Sequence, residues 1–209
     1  MGIERVDELI QTSMPVHGWM TPEKARRLAR LVAGLQAPVR CVELGVFGGR
    51  GVAMMALAIK HCLRGAGIVD GIDPYTADAA LEGTNAEGNR EWWSKLNYAE
   101  ILRTALEAFD RLQVKDIVNL RIARSQDVVG DYAPASIDLL HQDSNHSQEV
   151  SSWEVLAWSP KMRPGGIWVF DDTNWASTKP AQNLLEGAGF TRIEQHDTWA
   201  VFQAPPVTR

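Results

Sequence analysis

The run from Cys41 to Gly51, Cys-Val-Glu-Leu-Gly-Val-Phe-Gly-Gly-Arg-Gly, constrains the fold of this chain more than any other stretch. A short apolar segment carrying one acid leads into a glycine-rich turn, and then into Val52, Met55, Ala56 and Ile59 at helical spacing. That order reads as strand, tight turn and helix, the opening unit of a nucleotide-type α/β fold.

The rest of the chain supplies the units such a fold needs. Thr21-Pro22-Glu23 reads as an N-cap, a proline at the first helical position and an acid on the helix dipole. A helix with Ala25, Leu28, Val32 and Leu35 on one side therefore precedes a first strand over 40–44. A helix over 51–63 follows, then a strand over 67–72 that stops at Asp73-Pro74. Residues 75–95 show no regular period and read as an irregular insertion, either an ordered lid or a mobile loop. An amphipathic helix over 97–113, with Asn97 and Glu100 as a capping pair, leads to strands over 118–123 and 136–142. A Trp-rich helix over 147–162 leads to a strand over 166–170, entered through the turn Arg163-Pro164-Gly165. A last helix over 178–188 precedes a hairpin of 190–195 with 198–203. The expected fold class is α/β: a Rossmann-like, doubly wound, mainly parallel seven-stranded sheet with an antiparallel C-terminal hairpin. Ligands of such sheets sit at the carboxyl ends of the strands.

Composition has no break along the 209 residues, so a single domain over 1–209 is expected, with 1–38 as an N-terminal helical cap and 75–97 as a lid-like insertion. A net charge of -5 argues against a nucleic-acid partner and leaves a small molecule as the expected substrate. The N-terminus lacks a basic region followed by an apolar one, and no apolar run reaches the roughly 18 residues of a membrane span. A cytoplasmic protein is the resulting expectation, with homo-oligomerisation left open. Cys41 and Cys62 form neither a disulfide framework nor a metal-site spacing and read as packing residues.

The glycine turn lacks the third glycine of G-x-G-x-x-G, which disfavours a nicotinamide or flavin dinucleotide. It suits a ligand with a carboxylate near a helix N-terminus. Asp73, ending the adjacent strand, can accept from ribose hydroxyls or cap the turn at Pro74. Asp143, Asp171 and Asp172 end neighbouring strands and offer hard oxygen ligands for Mg²⁺ or a similar ion. The alternative is that one of them meets an amino group of the ligand while the others cap loops. His146, at the start of a helix, can face the same cleft and take a proton near neutral pH, or act as a solvated cap. His141, inside its strand, reads as packing. Trp92, Trp93 and Trp175 can wall a pocket for a flat or apolar acceptor, or anchor their loops to the core.

These residues together resemble the class I S-adenosylmethionine-dependent methyltransferases, and within them the small metal-dependent O-methyltransferases of the catechol type and of natural-product pathways, over about Val39 to Phe202. Glu43-Leu44-Gly45-Val46-Phe47-Gly48-Gly49 is similar to the family motif E-x-G-x-x-x-G. The resemblance implies cofactor contacts at Glu43, Gly45, Val46, Phe47 and Gly49, with Gly45 and Gly49 along the methionine part. It implies ribose contact at Asp73, adenine contact at Ser125 and Gln126, and a further cofactor contact at Asp143. Asp143-Ser144-Asn145-His146 matches the D-x-x-K motif, in which the aspartate binds metal and the lysine is the general base; here His146 stands in the lysine's place. Asp171-Asp172 matches the second metal motif, usually Asp-Asn, and Gly51 stands where a hydroxyl residue often holds the methionine carboxylate. The implied function is Mg²⁺-assisted O-methylation of a small-molecule hydroxyl, with Asp143 and His146 catalytic. The alternatives are a metal-independent methyltransferase and a non-catalytic S-adenosylmethionine-binding protein.

Overall fold

The structure is a computed structural model and describes residues 4–206. The elements in chain order are α1 (Glu4–Ser13), α2 (Pro22–Ala33), β1 (Val39–Leu44), α3 (Arg50–Cys62), β2 (Gly67–Ile72), α4 (Ala77–Ala80), α5 (Glu87–Ser94), α6 (Tyr98–Arg111), β3 (Val118–Arg121), α7 (Ser125–Val128), β4 (Ile137–Gln142), α8 (Gln148–Trp158), β5 (Met162–Phe170), α9 (Lys179–Gly187), β6 (Thr191–Gln195) and β7 (Ala200–Gln203). The strands form one seven-stranded sheet in the order β3-β2-β1-β4-β5-β7-β6. Its first five strands run parallel, and β7 pairs antiparallel with both β5 and β6. The expected Rossmann-like sheet with its C-terminal hairpin is therefore what the chain forms.

Alternation along each strand divides the core into two layers, because successive side chains leave a strand on opposite faces. Cys41, Val69, Leu139, Val169 and Val201 pack on one face with Val6, Leu28, Val32, Met54 and Phe109, the inward residues of α1, α2, α3 and α6. Val42, Leu44, Leu140, Trp168, Phe170 and Phe202 pack on the other face with Val155, Trp158, Ala181 and Leu185 of α8 and α9. Parity puts Glu43 and His141 on the α3 face, where they are register partners in the β1–β4 ladder.

Three local expectations are revised. The N-terminal cap has two helices, since Val6, Leu9 and Ile10 also recur at helical spacing and are buried in α1. The insertion expected to be irregular contains α4 and α5, neither of which has a side-chain N-cap bond. The Trp-rich helix stops at Trp158, because Pro160 has no N–H for the helix ladder; a 3₁₀ turn over Ser159–Lys161 passes directly into β5, which already pairs at Met162 with Ile137. The strand expected over 166–170 therefore begins at Met162.

Candidate active site

The parallel strands end at one edge, and each strand-end aspartate is fixed there by a backbone bond to the neighbouring strand. Asp73 N–H donates to Arg121 O at 3.1 Å, Asp143 N–H to Leu44 O at 2.9 Å, and Asp171 N–H to Gln142 O at 3.0 Å. The carboxylates therefore point from anchored backbone into a common cleft of about 530 Å³, lined also by Gly45, Val46, Phe47, Ser125, Gln126 and His146. That size lies within the range of small-molecule sites.

At the cleft's floor, Gly45 has φ +85°, and a Cβ there would collide with the Asp143 carbonyl. Only glycine lets the β1 turn pass beneath the β4 loop at this approach. Asp73 secures the same turn. Its Oδ2 accepts from Val46 N–H at 3.0 Å and Phe47 N–H at 2.9 Å, while Oδ1 accepts from Tyr75 N–H at 2.7 Å. Both the glycine turn and the start of the insertion are thus tied to the residue expected to meet a ribose. Burial raises the Asp73 carboxyl above its ordinary range, against the pull of those three backbone bonds. Helix α3 opens at Gly49 with no side-chain cap, beside the cleft residues Arg50 and Gly51.

The other end of the cleft lies over β4 and β5. Asp172, at φ +48°, directs its Oδ2 to within 3.4 Å of His146 Nε2, and Asp143 Oδ1 lies 3.9 Å from the same nitrogen. His146 precedes the Ser147 N-cap of α8 and stands in the loop rather than in the helix. Its ring packs against Trp175 at 5.3 Å between centroids. Burial lowers the His146 pKa from its ordinary value, opposed by Asp172 and Asp171, which favours the neutral imidazole. Burial raises Asp143 well above the usual carboxylate range, with the Asp171 charge adding to the shift and Lys24 opposing it. Asp171 moves the other way: burial pushes it up, but the Lys24 ammonium, with His141, outweighs burial and holds it below the ordinary range.

Among the charged cleft residues that the sequence did not reveal are Lys24 and Glu154. Lys24, in the first turn of α2, is 3% exposed and places Nζ 2.6 Å from Asp171 Oδ2 and 3.9 Å from Asp143 Oδ2. Glu154 on α8 is buried and accepts from Ser125 Oγ at 2.7 Å, Ser144 Oγ at 2.5 Å and Gln142 Nε2 at 3.0 Å. Burial lifts its pKa to about 7. Glu154 thereby joins the segment expected to meet adenine, at Ser125, to the loop that follows Asp143. His141 is buried as expected but is not merely packed: its Nδ1 lies 2.7 Å from Glu43 Oε1, and its Nε2 is 3.9 Å from Asp143 Oδ2.

The donor set fits a hard divalent cation. Asp143, Asp171 and Asp172 bring carboxylate oxygens to one cleft, and a cation, the Lys24 ammonium, already sits against two of them. Buried Glu43 Oε2, His141 Nε2 and His146 Nε2 have no hydrogen-bond partner. Among the described residues, the metal-ligating atoms that close to within 4.8 Å of one another are those of Glu43, His141 and Asp143. The expected trio of aspartates is more open.

The mouth of the cleft is aromatic. Trp19 stacks on Phe47 at 4.4 Å and meets Trp92 edge-on at 5.2 Å, and Trp92 contacts Trp93 at 4.7 Å. Trp19, 61% exposed, belongs to the connection between α1 and α2, so the N-terminal cap and the insertion meet across the opening.

Comparison with known proteins agrees with this geometry. A family described as a methyltransferase domain matches residues 42–173, more than half of the chain. Solved structures with this fold include an S-adenosylmethionine-dependent O-methyltransferase of Thermotoga maritima, at TM-score 0.65 and 15% identity over 96% of this chain and 72% of that one. The O-methyltransferase TomG of Streptomyces achromogenes, involved in tomaymycin synthesis and solved with S-adenosylmethionine, has TM-score 0.61 and 16% identity over 97% and 90%. An O-methyltransferase of Bacillus cereus in complex with S-adenosylhomocysteine has TM-score 0.61 and 15% identity over 96% and 90%. At these identities the likeness is one of fold. No curated protein sequence matches the chain. The family match over the glycine turn and the strand-end aspartates, on a sheet of this order, places the chain in the methyltransferase-domain family, as an S-adenosylmethionine-dependent methyltransferase of the class I fold.

Proposed function

We propose that the chain methylates a hydroxyl of a small-molecule acceptor, with a divalent ion of the Mg²⁺ class held by Asp143, Asp171 and Asp172. The observation that carries this reading is the meeting of those carboxylates with a half-buried His146 whose Nε2 is itself buried with no hydrogen-bond partner. S-Adenosylmethionine would be the methyl donor, held along the Gly45 to Gly49 turn and at Asp73. The acceptor oxygen attacks the methyl carbon, the carbon–sulfur bond breaks to leave S-adenosylhomocysteine, and the hydroxyl proton passes to His146 Nε2. A bound ion supplies positive charge that lowers the pKa of the acceptor hydroxyl. Asp172 and Trp175 fix the imidazole, and the anchored backbone of Asp143 and Asp171 holds the carboxylates for an aligned attack; such positioning can contribute roughly 7–11 kcal/mol to the barrier reduction. The insertion over 75–97 acts as a lid, and Trp19, Trp92 and Trp93 at its edge suit a flat or apolar acceptor.

Methyl transfer from labelled S-adenosylmethionine to a panel of hydroxylated acceptors tests this reading. Turnover is expected to vanish in excess chelator, and His146→Ala is expected to lower kcat by about 10²–10⁴-fold. Because a lowered pKa leaves the base free at and above 6.5, the acid limb of the kcat profile is expected below that pH and to disappear in His146→Ala. Full turnover in chelator contradicts the role of the ion, and an unchanged acid limb in the variant contradicts that of His146.

A further inference from the structure

Lys24 is the inward-facing base of α2, and the next two bases of the helix find partners elsewhere. On α2, Arg26 reaches Asp7 at 2.8 Å and Arg27 pairs with Glu194 of β6, whereas the Lys24 side chain runs under the helix to the strand-end carboxylates. Thr21 caps α2 through Lys24 N–H at 3.2 Å, which fixes this first turn against the cleft. An ammonium so deeply buried is costly unless it is paired. The ion pairs found for Lys24 are those with Asp171 and Asp143, and Nζ has no regular hydrogen bond besides. Asp171 cannot retreat, since its own N–H is held by Gln142 O.

We propose that Lys24 is a tethered counter-cation of the reacting centre: its ammonium holds the Asp171 carboxylate, with Asp143 at the edge of its reach, and competes with the divalent ion for Asp171. Lys24 lies in the N-terminal cap, outside the family-matched segment 42–173. The competition rests on the reading of the strand-end aspartates as ion ligands. A Mg²⁺ ion binds carboxylate oxygens at about 2.0–2.1 Å, and the Asp171 oxygen it would use is already 2.6 Å from Nζ. Two cations cannot share that oxygen at such separations without strong repulsion. Binding the ion through that oxygen would therefore require Nζ to leave it, a movement that the four-carbon stem allows while the backbone of α2 stays in place.

Calorimetric titration of Mg²⁺ into protein saturated with S-adenosylhomocysteine tests this without reference to turnover. Lys24→Met is expected to bind Mg²⁺ at least about tenfold more tightly than the wild type, and Lys24→Arg to remain within about threefold of it. Equal or weaker binding by Lys24→Met, with the wild type binding normally, overturns the competition and leaves the ion site standing. Absence of Mg²⁺ binding in every protein that still binds S-adenosylhomocysteine overturns the ion site itself, and the competition with it. Should Lys24→Met not fold, the wild type decides. The Lys24 Nζ resonance is expected to shift in step with Mg²⁺ saturation, and a resonance that stays fixed through saturation refutes the proposal.

Discussion

At Gly51 the first turn of α3 lies directly against the Glu43 carboxylate, which a Cβ at this position would strike. The family's frequent hydroxyl residue has no room here, because Glu43 is turned inward to bind His141. Gly51→Ala is expected to destabilise the protein by about 1–3 kcal/mol, the usual cost of overpacking, as measured by chemical denaturation. An unchanged midpoint and slope would show that Glu43 can move aside. The strand-end aspartates were legible in the sequence because each follows an apolar run that can only be a strand, and strand order brings them to one edge. Lys24 was not legible. A lysine in the first turn of an amphipathic helix reads as a solvent-facing residue, and only the docking angle of α2 on the sheet turns it inward. Glu154 was hidden for the same reason, as a single acid on a helix whose buried face is polar where it meets Ser125 and Gln142.

At the scale of elements, the insertion was the least legible stretch, and its structure explains why. α4 and α5 are short, neither has a side-chain N-cap bond, and α5 buries no residue, so there was no periodic stripe to read. The segment is held instead by distant partners. Asn145, inside the motif after β4, donates through Nδ2 to Ala79 O at 2.9 Å, Ala80 O at 3.0 Å and Glu82 O at 2.9 Å, capping the end of α4. Arg124 pairs with Asp78 and Glu82, and Tyr75 Oη donates to Phe47 O at 3.0 Å. The motif that carries Asp143 and His146 therefore also carries an anchor of the insertion. Asn145→Ala is expected to speed amide exchange over 77–84 by about tenfold, the weight of one to two hydrogen bonds, while β4 stays protected. Equal exchange in variant and wild type would mean that the Arg124 and Tyr75 contacts alone hold the segment.

At the scale of the whole molecule, sheet order does the assembling. The order β3-β2-β1-β4-β5 sets the glycine turn after β1 between Asp73 after β2 and Asp143 after β4, with Asp171 one strand further on. On the proposed reading, a donor lying across the edge in that sequence would reach Asp73 at one end and the Asp143 and Asp171 carboxylates at the other, beneath the N-terminal cap and the insertion. The central claim is thus spatial: donor over the β1 turn, ion among the aspartates. Anomalous diffraction from crystals grown with S-adenosylhomocysteine and Mn²⁺, as a stand-in for Mg²⁺, tests it most directly. The expected result is the ligand's ribose at Asp73, its methionine end over Gly45 to Gly49, and a Mn²⁺ peak among Asp143, Asp171 and Asp172. S-Adenosylhomocysteine bound in that place with no Mn²⁺ peak at those carboxylates would contradict it.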